Sequence, residues 1–170
     1  MRTALVLIAL FACSGEKTQD KEVGASLSDK KDVEIANVPA EVMAAAREAR
    51  PDLDYIEAEY ETKSGTEYYE VAGVGAQGVE IELDIARENN SWRVVEVQRD
   101  ITLADMPQPA RDALLARAPA IKPARIIESD QRDGVTIYEV YTQDAAGKEA
   151  KVEVKFDGEA AEVLTEEWVH

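Results

Sequence analysis

Residues 65–80 read GTEYYEVAGVGAQGVE, and residues 134–149 read GVTIYEVYTQDAAGKE. The leading glycine, the Tyr-Glu-Val triplet and the closing Gly-x-Glu of the two stretches recur at a constant spacing of 69 residues. Chance alone does not keep three separate motifs in register over such a length. The repeat therefore indicates one folding unit that the chain uses twice.

Each copy of the repeat opens with a predicted helix. Residues 41–50 are rich in strong helix formers, Pro39 suits the first turn, and Pro51 ends the run. The same arrangement recurs 68 residues later, where Pro107 and Pro119 bracket an alanine-rich segment. The alanine-rich stripe of each helix predicts close packing against a sheet.

Strands are predicted after each helix, because apolar and polar residues alternate with a period of two. Residues 56–61 and 80–85 show this alternation most clearly, and Ser64-Gly65, Gln77-Gly78 and Asn89-Asn90 supply turns between the strands. Such alternation is typical of antiparallel strands with one buried face and one solvated face.

The predicted fold class is α+β, with two tandem repeats over residues 38–101 and 102–170. Each repeat is expected to form one helix plus a four-stranded antiparallel meander, with the helices on one face of the sheet or sheets. The alternation does not determine whether the two meanders join edge to edge.

The N-terminal residues predict export and lipidation. Residues 1–12 are expected to be a signal peptide, because Ala4 to Ala12 form an apolar run after one arginine that is too short to span a bilayer. The run ends in Leu10-Phe11-Ala12-Cys13, which looks like the lipobox of bacterial lipoproteins, and Cys13 is the only cysteine. We therefore expect lipidation at Cys13; a chance cysteine is the alternative.

Residues 13–37 are expected to be the lipidated cysteine and a flexible tether, because polar and charged residues dominate this segment. A flexible chain of this length reaches roughly 25–30 Å. The expected location is the periplasmic side of a bacterial envelope, and Ser14 after the cysteine favours the outer membrane over the inner one.

The paired features also resemble a known family. A helix that opens at Val-Pro or Met-Pro, followed by Ala-Glu or Ile-Glu, a glycine, Tyr-Glu-Val, a second glycine and a glutamate-rich strand, is similar to the PepSY-like domain, which is related to the fold of beta-lactamase-inhibitor proteins. The resemblance covers Val38 to Trp168. It implies an antiparallel sheet with helices on one face and a role in binding or inhibiting other envelope proteins, and it brings no catalytic residues.

Composition excludes several classes of function. The chain has 35 acidic and 19 basic residues and a formal charge of -16, so it repels nucleic-acid backbones. His170 is the only histidine, which leaves no histidine-based zinc set or nucleophilic triad, and no glycine-rich phosphate loop occurs. We therefore expect no enzyme, cofactor or metal site, although a hydrolase with two carboxylates remains an alternative.

The candidate functional residues lie on the solvated face of the predicted strands. Closely spaced carboxylates repel one another and attract basic protein surfaces or cations. The expected function is a non-catalytic envelope lipoprotein that binds or inhibits another protein or peptide through its sheet face or edge. A Ca²⁺-responsive or buffering protein and an ordinary hydrated surface are the alternatives. The predicted partner-binding residues are Glu57, Glu59, Tyr68, Glu70, Glu80, Glu82, Ile137 and Tyr141.

Overall fold

The computed structural model of the protein describes residues 30–168. Its nine strands form one antiparallel sheet in which every strand lies next to its neighbour in sequence. The described residues also form two α-helices, α1 (Ala40–Ala49) and α2 (Gln108–Arg117). Two short 3-10 helices span Ile35–Asn37 and Ala76–Gly78. The strands are β1 Lys31–Asp32, β2 Asp54–Lys63, β3 Thr66–Val74, β4 Glu80–Glu88, β5 Ser91–Ile101, β6 Arg125–Asp130, β7 Thr136–Gln143, β8 Glu149–Phe156 and β9 Ala161–Val163.

The prediction of two helix-plus-four-strand repeats is wrong, because the strands of both segments belong to this single sheet. The long strand β5 pairs with β4 along its first part, while Val97–Ile101 at its end pair with β6. The alternation of side chains reports which face of a strand is buried, but it carries no information on which strand edges pair. The sequence therefore did not predict the pairing of β5 with β6, which the structure shows.

Helix α1 packs on one face of the sheet, which we call the helix face. Val42 and Ala46 of the helix are completely buried against Val71, Leu83 and Ile85 of the strands. Because a buried branched side chain contributes roughly 1.5–3 kcal/mol relative to an exposed one, this cluster is a main source of stability in this part of the sheet.

Helix α2 packs on a second cluster of the helix face. Ala110 and Leu114 of the helix are completely buried there with Val140 and Val154. The two clusters share a face because Val97 packs on the first cluster and Ile101, four residues later on the same strand, packs on the second. The opposite face, which we call the outer face, is therefore free of α-helices among the described residues.

A bulge in β5 decides which side chains reach the outer face. Ile85 pairs with Val94, whereas Asp84 pairs with Glu96, so Val95 is the extra residue of the bulge. Before the bulge, Val94 faces the core; after it, Glu96 lies on the outer face beside Asp84. The bulge thus adds a carboxylate to the outer face.

The residues from Lys30 to Asn37 lie against the sheet, although they fall in the segment predicted as a tether. Lys31 and Asp32 pair with Tyr60 and Glu59, and the backbone N–H of Val33 donates to the carbonyl of Ala58 at 2.8 Å. The predicted signal peptide, Cys13 and most of the predicted tether lie outside the described residues, as does His170. None of the helices within residues 30–168 has the length and apolar character that crossing a membrane requires.

Candidate functional site

Carboxylates form a continuous row across four strands of the outer face. Glu59, Glu70, Asp84 and Glu96 are successive cross-strand partners on β2, β3, β4 and β5. Directly opposite residues of neighbouring strands have Cβ atoms about 4.5–5.5 Å apart, so like charges at these positions repel. The row therefore concentrates negative charge in the first half of the sheet.

Five glutamates surround a small pocket beside this row, which we call the acidic pocket. Its volume is about 140 Å³, and Ala72 leaves room in the middle because its methyl group is the smallest side chain on this part of the face. Water occupies about 30 Å³ per molecule, so the pocket has room for one ammonium or guanidinium group with a few waters. The five glutamates are Glu57, Glu59, Glu70, Glu80 and Glu82, all of which the sequence predicted as partner-binding residues.

Lys30 already places an ammonium group against these carboxylates. Its Nζ lies 2.5 Å from Oε2 of Glu70 and 3.3 Å from Oε2 of Glu59. Burial opposes the charged form of this lysine, but its hydrogen bonds and the charges of both glutamates outweigh burial and raise the pKa of Lys30. The short strand β1 fixes Lys30 in this position through its pairing with β2.

Two carboxyl groups of the outer face have strongly raised pKa values. Burial and then the charge of Glu70 raise the pKa of Glu82 to about 7, although Lys30 opposes this shift. Burial and then the charge of Glu96 hold the pKa of Asp84 well above its usual range. Within residues 30–168, Oδ1 of Asp84 has no hydrogen-bond partner and almost no contact with solvent. Burial and mutual repulsion therefore favour the protonated, neutral forms of these two carboxyl groups unless a cation binds beside them.

Glu70, Glu82 and Asp84 bring three carboxylates to one point. One oxygen atom from each side chain can be chosen so that all three atoms lie within 4.8 Å of one another. Glu70 is the cross-strand partner of Asp84, and Glu82 precedes Asp84 by two residues on the same face. These are the residues of the described chain that could hold a metal ion.

The second half of the outer face has a different chemistry at the matched positions, 69 residues later in the sequence. Lys151 stands where the first half has Glu82, and its Nζ lies 2.7 Å from Glu153, 2.8 Å from Glu167 and 3.8 Å from Glu139. Tyr141 stands where the first half has Ala72, and its hydroxyl donates to Glu139. A lysine and a tyrosine of the chain itself therefore fill and neutralise this part of the face.

The C-terminal residues of the described chain fasten onto the second half of the outer face. The backbone N–H of Trp168 donates to Glu153 at 2.7 Å, and its indole N–H donates to Gln131 at 2.8 Å. The amide of Gln131 in turn donates to Ser129 at 2.7 Å and to Glu96 at 3.2 Å. This network links the C-terminal segment to the carboxylate row.

Two of the predicted partner-binding residues are not available as expected. Ile137 lies on the outer face but is only 1% exposed, where it lines a polar cavity of about 150 Å³ with Trp168. Tyr141 is half-buried and held by Glu139. Tyr68 lies on the outer face opposite Ala86, apart from the acidic pocket. The five predicted glutamates thus lie together around the acidic pocket, whereas Tyr68, Ile137 and Tyr141 lie apart from it.

Sequence reasoning missed two important residues of the site. Lys30 lies in a polar segment that shows no strand pattern, so nothing in the sequence signalled its contact with Glu70. Glu96 is absent from the predicted binding residues, because the bulge at Val95 reverses the alternation of β5 and the sequence pattern does not assign Glu96 to the outer face. The consecutive valines Val94 and Val95, which interrupt the alternation of this strand, were the sequence signal for the bulge.

The sheet edges offer less for a partner than the face does. β1 covers the middle of β2, and a bulge at Ile56 interrupts the remaining outer edge of β2. At the other edge, β9 has only three residues. Short edge strands and bulges are features that hinder the addition of a further strand.

Comparisons with protein-family models, with curated proteins and with solved structures gave no match for this chain. The resemblance to PepSY-like domains therefore stays a prediction.

Proposed function

We propose that this protein is a non-catalytic binding protein whose acidic pocket takes a lysine or arginine side chain of a protein or peptide partner. The observation that carries the proposal is the contact of Lys30 with Glu59 and Glu70. This contact is an internal example of an extended segment that lies along β2 and places an ammonium group on the outer face. A partner with a basic extended segment would use the same chemistry.

The difference between the two halves of the outer face supports this proposal. In the first half, Glu57, Ala72 and Glu82 form a cross-strand row that is acidic and open in the middle. The matched row in the second half is Arg125, Tyr141 and Lys151, which is basic and filled. The chain therefore neutralises one half internally and leaves the other half with an excess of carboxylates.

Lys30 alone does not satisfy the acidic pocket. It contacts Glu59 and Glu70, whereas Glu57, Glu80 and Glu82 form no ion pair with any residue between 30 and 168. Closely spaced charges of one sign attract a partner of the opposite sign and speed its association. The unpaired glutamates therefore favour a second basic group beside Lys30.

We place this activity in a bacterial envelope, with the chain attached through a lipid on Cys13. The support is the short apolar run from Ala4 to Ala12, the lipobox-like residues that end in Cys13, and the resemblance to PepSY-like domains. In this setting the bound partner is another envelope protein or peptide, and binding by the acidic pocket would block the basic segment of that partner.

Binding of a short lysine-rich peptide to the full chain tests the proposal, with a glutamine-substituted peptide as the negative control. The double variant Glu57→Lys/Glu80→Lys is expected to weaken binding at least about tenfold, which corresponds to roughly 1.4 kcal/mol. The matched control is Glu159→Lys/Glu162→Lys, which changes the net charge equally at exposed residues of the β8–β9 hairpin. Equal losses in both double variants would show that only the overall charge attracts the peptide, and the proposal would be wrong.

A further inference from the structure

We propose that Glu70, Glu82 and Asp84 form a Ca²⁺-binding site on the outer face. One oxygen from each residue lies within 4.8 Å of the others. Ca²⁺ binds oxygen at 2.3–2.6 Å, so two ligands on opposite sides of the ion lie roughly 4.6–5.2 Å apart. The three carboxylates therefore stand close enough to share one such ion without a change in strand pairing. This inference does not depend on the proposed binding of a basic partner.

An independent observation at Asp84 also points to a ligand. Its Oδ1 is out of contact with solvent and has no hydrogen-bond partner within residues 30–168, although the same carboxyl group also forms a hydrogen bond with Glu96. Its neighbours on the outer face are also acidic, because Glu70 and Glu96 lie opposite it on the flanking strands and Glu82 precedes it by two residues. A buried carboxylate oxygen in such surroundings needs a cation or a proton to compensate its charge.

The ligand set favours calcium over other metals. The cluster contains only carboxylate oxygens, which select hard cations, and it lacks the imidazole and thiolate ligands that select zinc or copper. Mg²⁺ demands nearly ideal octahedral geometry, whereas Ca²⁺ accepts irregular sets of six to eight oxygens. Three carboxylates on two adjacent strands supply up to six oxygens in an irregular arrangement, and water can complete the shell.

Two other cations compete for the same charge. Nζ of Lys30 lies 2.5 Å from Oε2 of Glu70 and neutralises part of the cluster. A proton shared between Asp84 and Glu96 would relieve their repulsion as well. Removal of Lys30 should therefore strengthen Ca²⁺ binding, and this effect separates a metal site from a pair of carboxyls that only share a proton.

The second half of the sheet provides a matched control. Glu139 and Glu153 correspond to Glu70 and Asp84, but Lys151 replaces the third carboxylate and contacts both glutamates. No metal is expected there. Glu139→Gln is the control substitution because it removes one carboxylate at the matched position outside the proposed site.

Calorimetric titration of the metal-free full chain with CaCl₂ tests this inference, with MgCl₂ as the competing ion. We expect one Ca²⁺ per chain, a Kd of about 1 mM or lower, and weaker binding of Mg²⁺. Glu82→Gln and Asp84→Asn should each weaken Ca²⁺ binding at least tenfold, Lys30→Gln should strengthen it several-fold, and Glu139→Gln should leave it unchanged. Lys30 lies outside the core, so its variant gives a result even where a change at Asp84 unfolds the chain.

The absence of saturable binding would overturn the inference, and so would equal weakening by Glu82→Gln and Glu139→Gln. Peptide binding measured in the presence of a chelator keeps the two proposals apart. Peptide binding without Ca²⁺ binding removes only the metal site, whereas Ca²⁺ binding without peptide binding removes only the proposed partner.

Discussion

Glu82 on β4 and Lys151 on β8 occupy equivalent places in the sheet but carry opposite charges. Each lies opposite the matched residue of the preceding strand, Ala72 or Tyr141, and each precedes an outer-face carboxylate by two residues. Lys151 contacts three carboxylates, whereas Glu82 adds a fifth carboxylate beside the four of the row. One position thus determines whether a half of the outer face is neutralised or left acidic.

The substitution Glu82→Lys should therefore stabilise the protein. A lysine at this position can pair with Glu70 and Asp84 as Lys151 pairs with Glu139 and Glu153. We expect the free energy of unfolding at pH 8, measured by urea denaturation in a chelator, to rise by about 1–2 kcal/mol. An unchanged or lower value would show that repulsion in the row is already relieved.

The reverse substitution, Lys151→Glu, should destabilise the protein. It removes the partner of Glu153, whose side chain is 5% exposed, and places a fourth carboxylate beside three others. Loss of one partner from a buried ion pair costs about 3–5 kcal/mol, and the partial exposure of Lys151 places this case at the lower end. The same denaturation measurement applies, and a loss below 1 kcal/mol would contradict the role assigned to Lys151.

Stability should fall as the pH rises from 5 to 8. Burial and the charge of Glu70 raise the folded pKa of Glu82 to about 7, above the unfolded value near 4.5. The folded state therefore binds this proton more tightly, and the stability that the proton contributes is present below the unfolded pKa and is lost as the pH passes through about 7. At about 1.4 kcal/mol per pKa unit, the loss is at most about 3 kcal/mol.

Urea denaturation of the wild type and of Glu82→Gln at several pH values between 5 and 8, in a chelator, measures this effect. The pH dependence should be smaller in Glu82→Gln, and the pKa values of Asp84 and Glu70, which burial also raises, should account for what remains. Asp105 and Asp157 do not interfere, because their hydrogen bonds lower their pKa values and they titrate below this window. Stability that increases from pH 5 to 8 would contradict the assignment.

Trp168 should stabilise the protein through its contacts with the outer face. Its indole N–H donates to Gln131, and Nζ of Lys155 lies 5.2 Å from the centre of its ring system. Trp168→Phe keeps an aromatic ring and should lower the free energy of unfolding by about 1 kcal/mol, the usual contribution of one hydrogen bond. Trp168→Ala removes the ring as well and should cost about 2–3 kcal/mol. Similar stability of all three proteins in urea denaturation would show that the C-terminal contact contributes little.

The helices and turns could be predicted from the sequence more fully than the pairing of the strands into one sheet. The prolines and alanines that predicted the helices do bracket α1 and α2, and the glycines of the predicted turns have positive φ angles, such as 87° at Gly65. These features depend on neighbours in the chain. The pairing of β5 with β6 depends on contacts between residues about 30 apart, which no local pattern encodes.

The candidate site, too, could be predicted from the sequence only in part. Period-two alternation brought Glu57, Glu59, Glu70, Glu80 and Glu82 to one face, and they do line one pocket. Alternation did not show that the C-terminal segment would leave Ile137 only 1% exposed, or that Lys30 would fold back onto Glu70. Both effects arise where a terminal segment crosses the sheet, and such contacts leave no periodic signal in the sequence.

Ala72 should control access to the acidic pocket, because the matched residue Tyr141 fills the equivalent space in the second half. Ala72→Tyr is expected to weaken binding of a lysine-rich peptide at least about tenfold, since a phenol ring would occupy the room that the ammonium group needs. Charge in the pocket is unchanged by this substitution, so the loss separates a shaped site from general attraction. The control is Tyr141→Ala, which opens a space between Arg125 and Lys151 and should leave peptide binding at the wild-type level. Fluorescence anisotropy of a labelled peptide measures both variants, and undiminished binding by Ala72→Tyr would place the partner elsewhere on the outer face.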